Sequence, residues 1–166
     1  MNYIFLTQQF YTDYKNCTEI EQKQTRPYVQ VYIKVNGVDF AIPMRSHIKH
    51  KDNVFWTDRQ NQCGLDFTKA VVIEDKKYID KTLTPYIRPH EHSALIGKEH
   101  EVKQGMTNCI ANYKEAKNNP TRRGNVFLLK YSTLQYFEKY IYKKDNIFKR
   151  MIRFLQKLFG INRKKR

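Results

Sequence analysis

Apolar and polar positions alternate most cleanly between Tyr28 and Pro43. YVQVYIKV sets a large or β-branched residue at nearly every second place, Asn36-Gly37 follows, and VDFAI alternates again. A period of two marks a strand with one face on a core. The Asn-Gly pair supplies the two positive-φ positions of a tight turn, so the segment predicts a β-hairpin. Pro43 is expected to end its second strand. Ahead of it, residues 3–6 (YIFL) predict a short strand, and 7–15 a brief helix starting at polar Thr7. Residues 16–26 are polar without a period and predict a loop. After Pro43, RSHIKHKDN predicts a basic loop, then 54–57 and 67–73 predict two more strands around the turn-rich DRQNQCG. The sum is a sheet of about five strands, most of them antiparallel.

The period changes further on. Across 93–117, Leu95, Val102, Met106, Ile110 and Tyr113 fall near one face of a helix, with charges opposite. Gly105 within it costs about 1 kcal/mol relative to alanine, which weakens the pattern at its middle. Asn118-Asn119-Pro120 stops it. Residues 127–129 predict a short strand, and Ser132 predicts the N-cap of a helix over 133–142. A last helix from Asp145 to about residue 159 stops at Gly160. Strands first and helices later indicate an α+β fold, with a body over 1–142 and a helical extension over 143–166.

Composition adds limits to this picture. With 166 residues, 40% of them hydrophobic, and 12 Tyr and 10 Phe, the chain can bury a real core and is not of the disordered class. No run approaches the ~18 apolar residues of a membrane-spanning helix, and the start lacks the basic region of a secretory signal. Three cysteines, Cys17, Cys63 and Cys109, are odd in number and far apart, which suits reduced thiols in a cytoplasmic protein. The net charge of +15 favours an anionic partner. Residues 143–166 hold ten basic residues and one acid, hence +9 of that +15. Their apolar stripe from Ile147 to Phe159, with Arg150 and Arg153 off it, is expected to dock and leave the basic face toward phosphates. Contact with a membrane surface is the lesser expectation.

The densest reactive cluster is Arg45-Ser46-His47-Ile48-Lys49-His50-Lys51, placed just after a strand. Cations, imidazoles and a hydroxyl together suit metal-independent RNA cleavage. The 2′-OH must lose a proton, the 5′-oxygen must gain one, and cations must stabilise the phosphorane. The same residues also suit a loop that grips phosphate without cutting, or a solvated basic loop. Arg26, stiffened by Pro27 and followed by Tyr28, can point toward that loop; Thr57, Asp58 and Lys69 lie at neighbouring strand ends. Pro89-His90-Glu91-His92 with His100 has the residue types of a metal site, but no paired cysteines accompany it, and neither metal nor cofactor is expected. Nucleotide-binding glycine motifs and the G-x-S-x-G elbow are missing.

Taken together, RPYVQVYIKVNGVDFAIPMRSHIKHKDNVFWTD, QCGLDFTKAVVI, YIDK and KYSTLQYFEKY resemble the toxin component of type III toxin–antitoxin systems. The likeness is greatest to the TenpN group, with ToxN, CptN and AbiQ more distant, and it covers most of residues 3–142 in order. It implies a compact twisted sheet with surrounding helices, similar to MazF/Kid-like ribonuclease toxins. It also implies a sequence-selective, metal-independent endoribonuclease leaving a 2′,3′-cyclic phosphate and a 5′-hydroxyl, with cellular or phage RNA as substrate and no DNA. The implied partner is a repeat-encoded pseudoknot RNA antitoxin, cut from its precursor by the toxin and then inhibiting it within a closed protein–RNA assembly.

Aligned on Gly37 and Pro43, the family's serine falls on Ser46, and its lysine at the start of the first hairpin strand falls on Arg26. Arg26 keeps the charge but cannot serve as a base. The family's second lysine falls on Ile48, with Lys49 one place on, and its threonine falls on Arg45. The resemblance therefore implies Ser46, Lys49 and Arg26 at the chemistry, with His47 or His50 available for proton transfer. Arg45, Lys51, Tyr28, Thr57, Lys69, Arg150 and Arg153 are the expected RNA contacts. The contrasting expectation is a non-catalytic RNA- or ribosome-binding protein.

Overall fold

A computed structural model of the chain describes residues 1–21 and 28–142. Arg26, Arg150, Arg153 and the expected helix after Asp145 lie outside them. Among the described residues the fold is α+β, with a seven-stranded sheet in which every pairing is antiparallel. The strands are β1 (Asn2–Leu6), β2 (Gln30–Val35), β3 (Val38–Arg45), β4 (Val54–Asp58), β5 (Cys63–Asp66), β6 (Val71–Val72) and β7 (Ile79–Asp80). Their order is β4-β5-β3-β2-β1-β7, and β6 pairs with β3.

The hairpin is where the alternation puts it. Val35 faces Val38 across Asn36 and Gly37, at φ 52° and 80°. Strand β3 does not end at Pro43. Pro43 takes the last register position opposite Gln30 of β2, and Met44 and Arg45 then pair with Leu65 and Gly64 of β5. Proline's fixed φ suits an extended residue, so a change of partner strand replaces the expected stop. The expected strand over 67–73 is also replaced. Asp66 accepts a hydrogen bond from Thr68 N at 3.0 Å and winds Phe67–Lys69 into a 3-10 turn, so Val71–Val72 alone rejoins β3.

Helix α1 (Gln8–Asp13) is capped by Thr7, whose hydroxyl oxygen accepts from Phe10 N. The long helical pattern divides into α2 (Pro89–Leu95) and α3 (Glu99–Asn118), because Gly97 at φ 72° ends the first in a left-handed cap. Residues 127–129 lie inside helix α4 (Arg123–Tyr131) rather than in a strand. A run of four apolar residues fits either element; here Leu128 and Leu129 pack on the core. Ser132 does act as an N-cap, but it opens a 3-10 turn over Thr133–Tyr136, succeeded by a short α5 (Glu138–Ile141).

The five apolar residues expected on the helical face, Leu95, Val102, Met106, Ile110 and Tyr113, are all buried. Leu95 lies on α2, which packs on β4, and the other four lie on α3, which crosses β2 and β4. Each such side chain contributes about 1.5–3 kcal/mol by leaving water. Phe10, Tyr14, Tyr78 and Phe137 close the other side, with the Phe10 and Tyr14 rings stacked at 4.6 Å. Gly105 does not break α3. A Cβ there would meet the buried Phe67 ring at 2.5 Å, so the glycine lets the helix approach that turn closely. Gly105→Ala is expected to destabilise the protein by about 1–3 kcal/mol through overpacking, despite alanine's better helix propensity. A midpoint in urea at or above the wild type would contradict this.

Candidate active site

The basic loop is fixed at both ends. Ile48 is buried and its N–H donates to Gln62 O at 3.1 Å, which pins the loop against the turn between β4 and β5. With Ile48 inward, Ser46, His47, Lys49 and Lys51 are exposed, and His47 takes a left-handed φ of 58°. Among the described residues nothing hydrogen-bonds the Ser46 hydroxyl.

Asp66 organises the site, and the sequence reading passed over it. It ends β5 with no solvent exposure. Its Oδ1 accepts from Thr68 N at 3.0 Å and Thr68 Oγ1 at 2.6 Å. Its Oδ2 accepts from Arg45 Nη1 at 2.5 Å and lies 3.2 Å from His50 Nε2. Arg45 Nη2 donates in turn to Glu21 Oε1 at 2.8 Å. Burial alone would push the Asp66 carboxyl up, but the bonds from His50 and Thr68 and the charges of His50 and Arg45 hold it below the usual carboxylate range. A signal for Asp66 did exist: an Asp two residues before a Thr at a strand end is a turn-capping pattern. Its burial beside Arg45 and His50 depends on β3 changing partner at Pro43, which alternation does not reveal.

His50 has an acceptor on each side, Asp66 Oδ2 at Nε2 and Asp52 O at Nδ1, 2.9 Å away. Both partners are acceptors, a setting that favours the imidazolium, in which both ring nitrogens donate. The bond to Asp66 raises the His50 pKa above 6.5, against burial and the Arg45 charge, which lower it. The Asp66 bond is inside the protein and the Asp52 bond is at the exposed edge. A substrate oxygen that replaces the Asp52 carbonyl would face a proton on a ring held in place from behind.

Two clefts meet at this ring. One, of 290 Å³, is lined by Lys49, His50, Lys51, Trp56 and Arg59, with the Arg59 guanidinium 5.9 Å from the Trp56 ring centroid. It suits phosphate and an adjoining base. The other, of 390 Å³, runs from His50 to α3 and α4. Neither Ser46 nor His47 lines either cleft.

The remaining candidates scatter. Lys69 donates its ammonium to Glu19 O at 3.1 Å and Tyr131 O at 2.9 Å, and burial lowers its pKa. It ties α4 to the body. Tyr28 is half-buried just before β2. Thr57 Oγ1 donates to Glu91 Oε1 at 3.4 Å, and Glu91 also holds Arg88 through two bonds of 2.8 and 2.9 Å. In the Pro89–His92 segment, His90 lies 3.9 Å from Asp58 and His92 packs on Tyr3. No group of three His, Cys, Asp or Glu among the described residues is placed to hold a metal. None of their helices is long and apolar enough to cross a membrane. Compared with known protein families, curated proteins and solved structures, the chain matches none.

Proposed function

We propose that the chain is a metal-independent endoribonuclease, the toxin of a type III toxin–antitoxin pair, acting in the cytoplasm and restrained by its own repeat RNA. The observation that supports this most is His50, oriented by buried Asp66 and exposed along its other edge beside a basic cleft. In this reading the RNA lies across the rim of the basic cleft, where the exposed Ser46 orients the 2′-OH and the exposed His47 takes its proton as the oxygen attacks phosphorus. The P–O5′ bond breaks, and the His50 imidazolium protonates the leaving oxygen. The products are a 2′,3′-cyclic phosphate and a 5′-hydroxyl. Lys49 and Arg26 offset the phosphorane charge, while Arg45 holds Asp66. Lys51, Arg59 and the extension over 143–166, with Arg150 and Arg153, bind flanking phosphates.

One observation favours a second reading, that of a module which grips RNA without cutting it. Both nitrogens of His50 are bonded within the protein, as in a fixed cation. Incubating the purified protein with RNA in EDTA and mapping the ends separates the two. Cyclic phosphate and 5′-hydroxyl ends, lost in Ser46→Ala with binding retained, are the expected outcome. Intact RNA beside tight binding would establish the gripping module instead.

A further inference from the structure

We propose that the cleft between His50 and helix α4 is a nucleobase pocket, which holds the unpaired base next to the phosphate at His50 and selects bases that carry an exocyclic amino group. The inference rests on the reading of the protein as an RNA-binding nuclease.

Its acidic residues set it apart from the basic cleft lined by Lys49, Lys51 and Arg59. Asp52 and Glu115 line it, and Arg122 stands 3.5 Å from Glu115. With Asp52 and Glu115 set against Arg122 and His50, the lining offers no excess of positive charge to an anion, while its acidic groups can accept hydrogen bonds from the amino groups of adenine, cytosine or guanine. Uracil, which presents carbonyl oxygens at the corresponding positions, gains least. The amide of Asn112 completes the polar lining, held by a 3.0 Å bond from its Nδ2 to Asn53 Oδ1. Amides of this kind pair with base edges.

Two aromatic rings also line it. Phe127 and Tyr131, four residues apart on α4, lie with ring centroids 4.5 Å apart and planes at 48°. Phe127 is 56% exposed and Tyr131 41%, whereas most of the large apolar side chains among the described residues are buried. Exposed aromatics beside a basic groove are what stacks unpaired bases, because every base has a π-face. The volume of 390 Å³ falls in the range of about 300–1,000 Å³ typical of small-ligand sites. The site therefore calls for single-stranded RNA: a paired base is stacked in its helix and cannot enter.

The test uses the full-length protein and short, uncleavable 2′-O-methyl RNA carrying a fluorescent adenine analogue at one position. Binding is expected to change the fluorescence, adenine oligonucleotides are expected to bind more tightly than uridine ones, and Phe127→Ala/Tyr131→Ala is expected to weaken binding about tenfold and abolish the fluorescence change. Both rings are exposed, so the double variant keeps its fold, which its circular dichroism checks. Glu115→Gln is expected to narrow the adenine–uridine gap. An undiminished fluorescence change in the double variant, or equal affinity for the two oligonucleotides in the wild type, overturns the pocket. Cleavage of ordinary RNA is mapped in parallel. A wild type that shows the fluorescence change but cuts nothing sinks the nuclease reading and leaves the pocket. Cutting that keeps its base preference in the double variant sinks the pocket alone.

Discussion

His50→Gln is expected to lower kcat for RNA cleavage by about 10²–10⁴-fold, the usual contribution of a positioned general acid. Glutamine can keep a hydrogen bond to Asp66 but has no proton to deliver. Affinity for uncleavable RNA should therefore stay near the wild-type value, and the loss should appear in kcat rather than KM. The pH profile gives a further readout. Asp66 raises the His50 pKa above 6.5, so the acid form persists above that pH and the wild-type rate falls as pH climbs through the raised value. That basic limb should vanish from the residual activity of the variant. Single-turnover cleavage of end-labelled RNA measures both effects. A glutamine variant that cuts at the wild-type rate would remove His50 from the chemistry.

Most of the sheet was legible because its signals are local. The Asn36-Gly37 turn, the alternation on both sides of it and the Thr7 cap each need only a few neighbouring residues, and each holds in the structure. Where the sequence reading departs from the fold, long-range contacts prevail. Strand β3 runs through Pro43 because β5 is there to pair with Met44 and Arg45. Residues 127–129 are helical because α4 packs on α3. Gly105 weakens the helical pattern in sequence, yet in space it is what admits the Phe67 ring.

The candidate site was legible to a similar depth. A basic loop after a strand, with Arg45 and His50 in it, can be read from RSHIKHK. That His50 faces one way onto a buried carboxylate, and that Ile48 turns inward, depends on β5 and on the turn before it. Asp66 carries only a local mark, that of a turn cap. In CGLDFTK it looks like an ordinary turn-forming Asp, and its importance arises from the three chain segments that bring Arg45, His50 and Thr68 to its oxygens.

That convergence makes Asp66→Ala a severely destabilising change, with an expected loss of about 3–5 kcal/mol, since four hydrogen bonds to one carboxylate go at once, each worth about 1 kcal/mol or more. Arg45, with 21% of its side chain exposed, would keep only Glu21, and Thr68 would lose both its cap and its hydroxyl acceptor. A loss of this size lowers the Tm by about 10 °C in a chain of this length. Asp66→Asn should cost less, since an amide oxygen can still accept from Thr68. Thr68→Val, which removes only the hydroxyl donor, should cost about 1 kcal/mol. The dependence on pH has two signs. Asp66 has a lowered native pKa, so its contribution is present above 3.8, the value for a free Asp, and is lost as pH falls through the lowered value. His50 has a raised native pKa, so its contribution is complete below 6.5 and is lost as pH rises through the raised value. The gap between wild type and Asp66→Ala should therefore be widest between those two pH values and should narrow on either side. Urea unfolding followed by circular dichroism across that range measures it. A variant within about 1 kcal/mol of the wild type throughout would mean that water, rather than Asp66, satisfies Arg45 and His50.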